Sequence, residues 1–381
     1  MSKPRPERGT ALFWWPDGVM RDFHLYKCVG QVPKTLHDMG YNVIVVVNKL
    51  DTGGRQPWDK TYELGEQSWR GPRLMFRTLH QIVRMNVFLL KLLLKERPNI
   101  IIIVWSDPRI LPALAIYRYF IMKNRDIKIV NKLDSDGGFV HSIYGTIYNQ
   151  LGVLLSDKVA IETTCAYERV LSSRLLKLMA SKLIVVPHGV ADDILSSKIN
   201  KKREKIILFA GENSYRKGLD VLIRALFRIK SELNGWKVVI TSKLANDEYQ
   251  NLIKKYIKLY GLEDKIEFID ADRAKLLDLY SSSSIFVLPT RWESYGIAIA
   301  EALASGLIVI TTDGTCRRDF ENLGAIVVKK DDVQELANAL KYAIKNYERL
   351  LVARNSTLGE ALLEKIRARH DYRYLVSLLI K

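Results

Sequence analysis

"IFVLPTRWESYGIAIAEALASGLIVITT", residues 285–312, decides the fold. A short apolar run ends at Pro289, a polar segment follows, then an alanine- and isoleucine-rich segment that stops at Gly306, then a second apolar run. Short apolar runs bounded by turn formers read as buried strands, and the segment between them reads as a helix. Ser294 is the expected N-cap and Gly306 the expected stop. The first free amides of that helix are expected at Tyr295, Gly296 and Ile297. Gly296 has no side chain to keep a phosphate away, and a helix N-terminus with bare amides attracts a diphosphate. Two acids, Glu293 and Glu301, flank this start. Glu301 lies about two turns in, and helical side chains lean back toward the N-terminus, so it is expected to meet a ribose diol. Glu293, ahead of the helix, is expected to face the group on the far side of the diphosphate. The pair alone leaves a second reading open, a capped surface helix with two solvated glutamates.

The same strand–helix alternation extends in both directions. Toward the N-terminus of this half, "IILFAG" (206–211) reads as a strand and "GLDVLIRALFRIKSEL" (218–233) as a helix; toward its C-terminus, "GAIVV" and "VQELANALKYAIKNY" repeat the pattern. An earlier series does the same. It comprises "TALFWW" (10–15), a loop "WPDGVMRDFH" (15–24), a helix with Asp22 as candidate N-cap in which Pro33 marks either a kink or the helix start, "YNVIVVV", "QIVRMNVFLLKLLLKE", "NIIIIVW", "IKIVNKLD" and "KVAIET". Alternation of this kind builds right-handed parallel crossovers. Two series joined by a polar, basic bridge at 191–205 predict an α/β chain of two Rossmann-like, doubly wound parallel-sheet domains facing across a cleft. The expected boundaries are 1–192, 193–365 and a C-terminal helix at 366–381 that packs back on the first domain. Ligands of such sheets bind outside the carboxyl ends of the strands.

The 381 residues suit two domains, each large enough for its own core. A formal charge of +17 implies a negatively charged partner: nucleotide, nucleic acid or anionic lipid. The three cysteines, Cys28, Cys165 and Cys316, are sparse and odd in number, which predicts neither a disulfide framework nor a cysteine zinc site and fits a reducing cytoplasm. No run reaches 18 uninterrupted apolar residues, so no membrane-spanning helix is expected.

"FAGENSYRKGLDVLIRAL" (209–226) supplies the complementary charge. Arg216 and Lys217 stand where a strand has ended and Gly218 opens a helix. Two fixed cations there suit a diphosphate leaving group, whose charge grows as the sugar bond breaks. An ordinary basic loop is the plainer alternative in so basic a chain.

Through "YRKGLDVLIRAL", "IFVLPTRWESYGIAIAEALASGLIVITTDG" and "LIVVPHGV" together, the sequence resembles the nucleotide-sugar glycosyltransferases of family 4, retaining enzymes of the GT-B fold. The resemblance is specific from about 183 to 345 and weak over 1–180. It implies that Glu293 contacts the transferred sugar and Glu301 the ribose, and that Lys217, with the amides of Tyr295 and Gly296, holds the diphosphate. Glu293, Arg216 and Lys217 are then the catalytic set. Ser294, Tyr295, Gly296, Ile297 and Glu301 are donor contacts, and the backbone near Ile269 and Asp270 meets the base. Where many members carry an arginine after the glycine matched by Gly211, this chain has Glu212, and Arg216 is expected to supply the missing charge.

The acceptor half offers Asp134 and Asp136 in "VNKLDSDGG", and Asp17 and Gly18 in the loop after the first strand, each with a plain capping or loop role as the alternative. An Asp-x-Asp pair also suggests a divalent metal, but the resemblance implies side chains and helix dipoles in its place, so no metal and no cofactor is expected. His188 reads as structural. The cationic amphipathic stretch 77–97 suits either a core helix or contact with anionic lipid, and with it a lipid-linked acceptor and a place on the inner face of the membrane. A nucleic-acid-binding protein, a catalytically inactive sugar-nucleotide binder and an oxidoreductase are the rival classes. No helix-turn-helix, zinc module or G-x-G-x-x-G supports the first or the last, and retained Glu293 and Lys217 argue against the second.

Overall fold

The structure is a computed structural model that describes residues 8–65, 75–104, 107–123, 127–133, 152–172, 177, 180–197, 202–241 and 248–381. The chain divides into two units. One comprises residues up to His188 together with Tyr372–Lys381, and the other is Gly189–Asp371.

The first unit is a seven-stranded sheet. Its strands are β1 (Thr10–Arg21), β2 (Asn42–Asp51), β3 (Lys60–Glu63), β4 (Ile100–Val104), β5 (Lys128–Leu133), β6 (Lys158–Ile161) and β7 (Leu183–Val185), in the order β3-β2-β1-β4-β5-β6-β7 and parallel throughout. The strands alternate their burial between two faces. Phe13, Val43, Val45 and Ile102 join one core with α1 (Cys28–Asp38), while Leu12, Trp14, Ile44, Val46 and Ile103 join another with α2 (Met75–Glu96) and α3 (Leu111–Ala115). Period-two alternation into two apolar layers is what a sheet covered on both faces requires. A further helix, α4 (Thr164–Leu171), is capped by the Thr163 hydroxyl, which accepts from the Ala166 amide at 3.0 Å.

Two local expectations are corrected here. Residues 15–21 are not a loop: β1 continues to Arg21, with its register to β2 shifting between Trp15 and Val19. Pro16 cannot donate to a ladder, and a Cβ on Gly18 would lie 2.3 Å from the Trp15 ring, so the indole fills the space that a side chain there would need. Nor does Asp22 cap α1. It opens a 3-10 turn, Asp22–Tyr26, and α1 begins after Lys27 with Pro33 inside it.

The second unit is a six-stranded parallel sheet: β8 (Ile206–Ala210), β9 (Lys237–Thr241), β10 (Ile266–Phe268), β11 (Ile285–Leu288), β12 (Ile308–Thr312) and β13 (Ile326–Val328), ordered β10-β9-β8-β11-β12-β13. Its helices are α5 (Asp192–Leu195), α6 (Leu219–Arg228), α7 (Glu248–Tyr260), α8 (Arg273–Ser282), α9 (Ile297–Ala304), α10 (Arg317–Glu321), α11 (Val333–Lys345), α12 (Tyr347–Arg354) and α13 (Thr357–Arg369). The stretch read as a polar bridge is in part built into this unit. Asp192–Leu195 is helical, and Arg203 is buried, donating to the carbonyls of Tyr280 (3.0 Å), Ser283 (2.7 Å) and Ser305. Those carbonyls belong to the C-terminal ends of α8 and α9, where a guanidinium meets orphan acceptors and the negative end of the dipole.

The last helix, α14 (Tyr372–Ile380), returns to the first unit. Tyr372, Leu375, Val376 and Leu379 enter its core, and Lys128 and Lys158 donate to the carbonyls of Ile380 (2.9 Å) and Leu378 (2.8 Å).

Candidate functional site

Three loops leave the carboxyl ends of adjacent strands β8, β11 and β12. Backbone geometry brings them together. A Cβ on Gly218, at φ +71°, would sit 2.0 Å from the Pro289 carbonyl oxygen, and one on Gly314 would sit 2.4 Å from that of Thr290. Only glycine permits both approaches. The Arg291 amide donates to the Arg216 carbonyl at 2.8 Å, the Thr290 hydroxyl donates to it at 3.0 Å, and the Glu293 amide donates to Gly314 at 2.9 Å. Arg291 then straps the loops to α6. Its guanidinium grips Asp220 through two bonds of 2.9 and 2.8 Å and lies 3.6 Å from the centre of the Tyr215 ring. Burial works against the Asp220 charge, but Arg291 and the Tyr249 hydroxyl outweigh it and hold that carboxyl below its usual range.

This scaffold brings three of the sequence-predicted residues to one point. Arg216 Nη1 lies 2.9 Å from Glu293 Oε1, and Lys217 Nζ bonds the same oxygen, although the two cations are 77 and 76 residues away in sequence. The Thr290 hydroxyl adds a longer contact of 3.3 Å. The Glu293 side chain is only 8% exposed and Lys217 13%, so the pair is shielded enough for charge-assisted bonds to matter. Arg216 also lies 5.0 Å from the Trp292 ring and 3.6 Å from Glu212.

The helix start differs from expectation. Ser294 is not the N-cap. Gly296 is, at φ 98° and ψ 60°, a left-handed conformation that disfavours any side chain. The helix therefore begins at Ile297, and the first backbone bonds into it run from Ile299 and Ala300 to the Gly296 carbonyl. Tyr295 is a buried anchor, its hydroxyl 2.7 Å from His370 Nε2. His370 Nδ1 faces the Ile366 carbonyl at 2.6 Å and so carries the proton, which leaves Nε2 to accept from the tyrosine.

Glu301 is 7% exposed and lies in α9, its oxygens shared between two partners: Arg273 Nη1 at 2.9 Å and the Tyr280 hydroxyl at 3.1 Å. Arg273 also binds Asp193 through bonds of 2.9 and 2.7 Å. Burial pushes the Glu301 carboxyl up, with Arg273 pulling against it. Each Glu301 oxygen keeps a second lone pair for a hydroxyl donor. Sequence reasoning missed Arg273, Asp193, Tyr280 and His370, which carry no local pattern and meet the site only through the fold. Ile269 donates its amide to Ile240 at 2.9 Å, leaving its carbonyl for other contacts, and Asp270 is exposed.

On the acceptor side, Asp17 and Gly18 lie in β1 at its register shift, and Asp134 and Asp136 fall outside the described residues. Among the described residues no group of three or more His, Cys, Asp or Glu could hold a metal ion, and no helix is long and apolar enough to cross a membrane. In the first unit, buried His188 Nε2 lies 2.6 Å from Glu162 Oε1, which Lys132 Nζ approaches at 3.3 Å. His24, in the turn after β1, is pushed down to about 4 by burial and by Lys27 and Arg21.

Residues 191–357 match the family described as glycosyl transferases group 1. The chain is 25% identical over 256 residues to a GDP-mannose:cellobiosyl-diphosphopolyprenol alpha-mannosyltransferase of Xanthomonas campestris, covering 64% of this chain and 65% of that one. It is 25% identical over 219 residues to the protein of the same name from Xanthomonas oryzae, covering 55% of this chain and 57% of that one. The match thus spans less than two thirds of these relatives' length. Among solved structures, Anabaena Alr3699/HepE in complex with UDP superposes with a TM-score of 0.71 at 15% identity, covering 97% of this chain and 98% of that one. The second unit thus matches the glycosyl transferases group 1 family over residues 191–357, and the chain as a whole has the GT-B fold, with a parallel sheet in each unit.

Proposed function

We propose that the chain is a retaining hexosyltransferase, which moves a sugar from a nucleotide-diphosphate donor to a hydroxyl of a glycan or lipid-linked acceptor. The names of its relatives favour GDP-mannose as donor. The observation that carries this reading is the convergence of Arg216 and Lys217 on Glu293, at the carboxyl edge of the second sheet and just ahead of α9.

In the free protein, Glu293 holds the two cations in place. When the donor binds, its diphosphate takes them over, helped by the amides of Tyr295, Gly296 and Ile297 beside Ser294. Glu293, released, faces the sugar and stabilises positive charge at the anomeric carbon. The bond from that carbon to the diphosphate oxygen breaks while the acceptor oxygen attacks from the same face. The hydroxyl proton passes to the departing phosphate oxygen, so no separate base is needed. Glu301 takes the ribose hydroxyls, already oriented by Arg273 and Tyr280, and the backbone at Ile269 and Asp270 meets the base. Asp17, Gly18, Asp134 and Asp136 serve the acceptor. The charge work assigned to Arg216 and Lys217 makes a metal unnecessary. The basic outer face of α2 supports contact with an anionic membrane surface, at the cytoplasmic side.

The test is a transfer and hydrolysis screen across GDP-, UDP- and ADP-sugars with thermal-shift binding of the nucleotides. GDP-mannose turnover is the expected result. Absence of binding and turnover for every nucleotide sugar, together with salt-dependent binding of DNA, would replace this reading with that of a nucleic-acid-binding protein.

A further inference from the structure

The second unit holds a cavity of about 870 Å³ at the edge of the sheet opposite the site described above. Gly306 and Ile308, at the entry to β12, line it, whereas Glu293 follows the exit of β11. A strand of five residues separates the two edges by roughly 15 Å. The cavity is roofed by α12 and α13, which contribute Leu350, Leu351 and Leu363, and Ile326 and Ile366 add to its apolar wall.

Three arginines converge on this apolar space: Arg203, Arg354 and Arg367. Among the described residues none is paired with a carboxylate. Arg203 donates to three carbonyls, and Arg367 donates to those of Ala304 (3.0 Å) and Ser197 (2.9 Å). These bonds fix the two guanidinium groups at helix ends but leave their net charge in place. Arg354, the last residue of α12, has no side-chain bond or ion pair among the described residues. Burial, with Arg203 close by, pushes Arg354 down to about 10, and burial pushes Arg203 down to about 10 as well. The acids on the lining, Glu360 and Glu364, are both exposed.

Uncompensated cations gathered in an apolar space are unfavourable unless an anion joins them. A guanidinium fork matches the oxygens of a phosphate, and the leucine wall matches an alkyl chain. We propose that this cavity binds an amphipathic phosphate, its head against Arg354 beside Arg203 and Arg367 and its alkyl chain along Leu350, Leu351 and Leu363. The site is separate from the donor site, and the proposal does not rest on the proposed reaction.

The probe is decyl phosphate below its micellar concentration, titrated calorimetrically into the full chain, with inorganic phosphate and decanol as separate arms. The expected result is one decyl phosphate per chain, held at least tenfold more tightly than inorganic phosphate and not displaced by saturating GDP, with no measurable decanol binding. Arg354→Gln should weaken binding at least tenfold, Arg354→Lys should restore part of the loss, and Arg349→Gln, on the same helix but not lining the cavity, should change nothing. The proposal fails if the wild type does not bind, if decanol binds as well as the phosphate, if GDP displaces the probe, or if Arg354→Gln and Arg349→Gln behave alike.

Discussion

Replacing Glu293 by glutamine separates two properties that usually fall together. The carboxylate takes Arg216 Nη1 at 2.9 Å and Lys217 Nζ on one oxygen, in a site where its own side chain is 8% exposed. A glutamine carbonyl keeps a hydrogen bond to each cation but loses the ion-pair attraction, which for a partly exposed pair is worth about 1 kcal/mol. If an arriving diphosphate must take one such bond from Glu293, its affinity should rise about five- to tenfold in Glu293→Gln, and more if it takes both. Turnover should move the other way. Loss of one charge-stabilising contact at a reacting centre costs about 2.7–4 kcal/mol, a fall of 10²–10³ in kcat. Calorimetry with GDP and single-turnover kinetics with the donor read the two effects. Tighter GDP with slower turnover supports the exchange of partners. Unchanged or weaker GDP binding refutes the exchange, and turnover near that of the wild type refutes the catalytic role.

Glu301→Gln should weaken GDP binding without a selective loss of kcat, because a ribose contact is shared by ground and transition states; the same substitution removes a carboxylate partner of buried Arg273, so a lower denaturation midpoint should accompany it. If GDP affinity is unchanged, Glu301 is a structural partner of Arg273 and nothing more. Transfer should survive excess EDTA, while Lys217→Ala should lose about 10² in rate; complete loss in EDTA with rescue by Mg²⁺ or Mn²⁺ would move attention to Asp134 and Asp136. His24 gives a pH dependence. Its folded pKa of about 4 lies below the ordinary imidazole value of 6.5, so its contribution to stability is present above pH 6.5 and is lost as pH falls toward 4. Because the ring is partly solvated, the loss should be about 1–2 kcal/mol, measurable as a pH-dependent gap between wild type and His24→Gln in urea midpoints. Parallel midpoints between pH 7 and pH 4 would show that the ring does not titrate with folding.

The sheets were legible because burial on two faces imposes a simple code. Val43, Val45 and Val47 face one layer while Ile44 and Val46 face the other, and both sets are apolar. Strand β3, "KTYE", escaped the reading because it is an edge strand at the end of the sheet order, with exposed and half-buried positions and no apolar face to mark it. The helix start at Gly296 escaped for a different reason. Ser294 has the side chain of a cap, but cap position follows backbone dihedrals, and the left-handed turn at Gly296 places the helix three residues beyond that serine.

The site itself was half legible, and the division follows sequence distance. Glu293, Arg216 and Lys217 could be nominated because each stands just past an apolar run, where a parallel sheet exposes its carboxyl edge. Their meeting could not be read, since it depends on β8 and β11 being neighbours in the sheet although two strands intervene between them in the chain. The same adjacency explains Arg291. In the sequence it is one more cation in a basic loop; in the fold it is the strap that ties this loop to Asp220 and Tyr215 across the strand junction. Gly218 and Gly314 complete the scaffold: a Cβ on Gly218 would force the loops after β8 and β11 apart, and one on Gly314 would force apart the loops after β11 and β12. What looks in sequence like a motif of acids and cations is therefore held by residues outside its chemistry: two glycines that let the backbones touch, and one arginine that keeps them there.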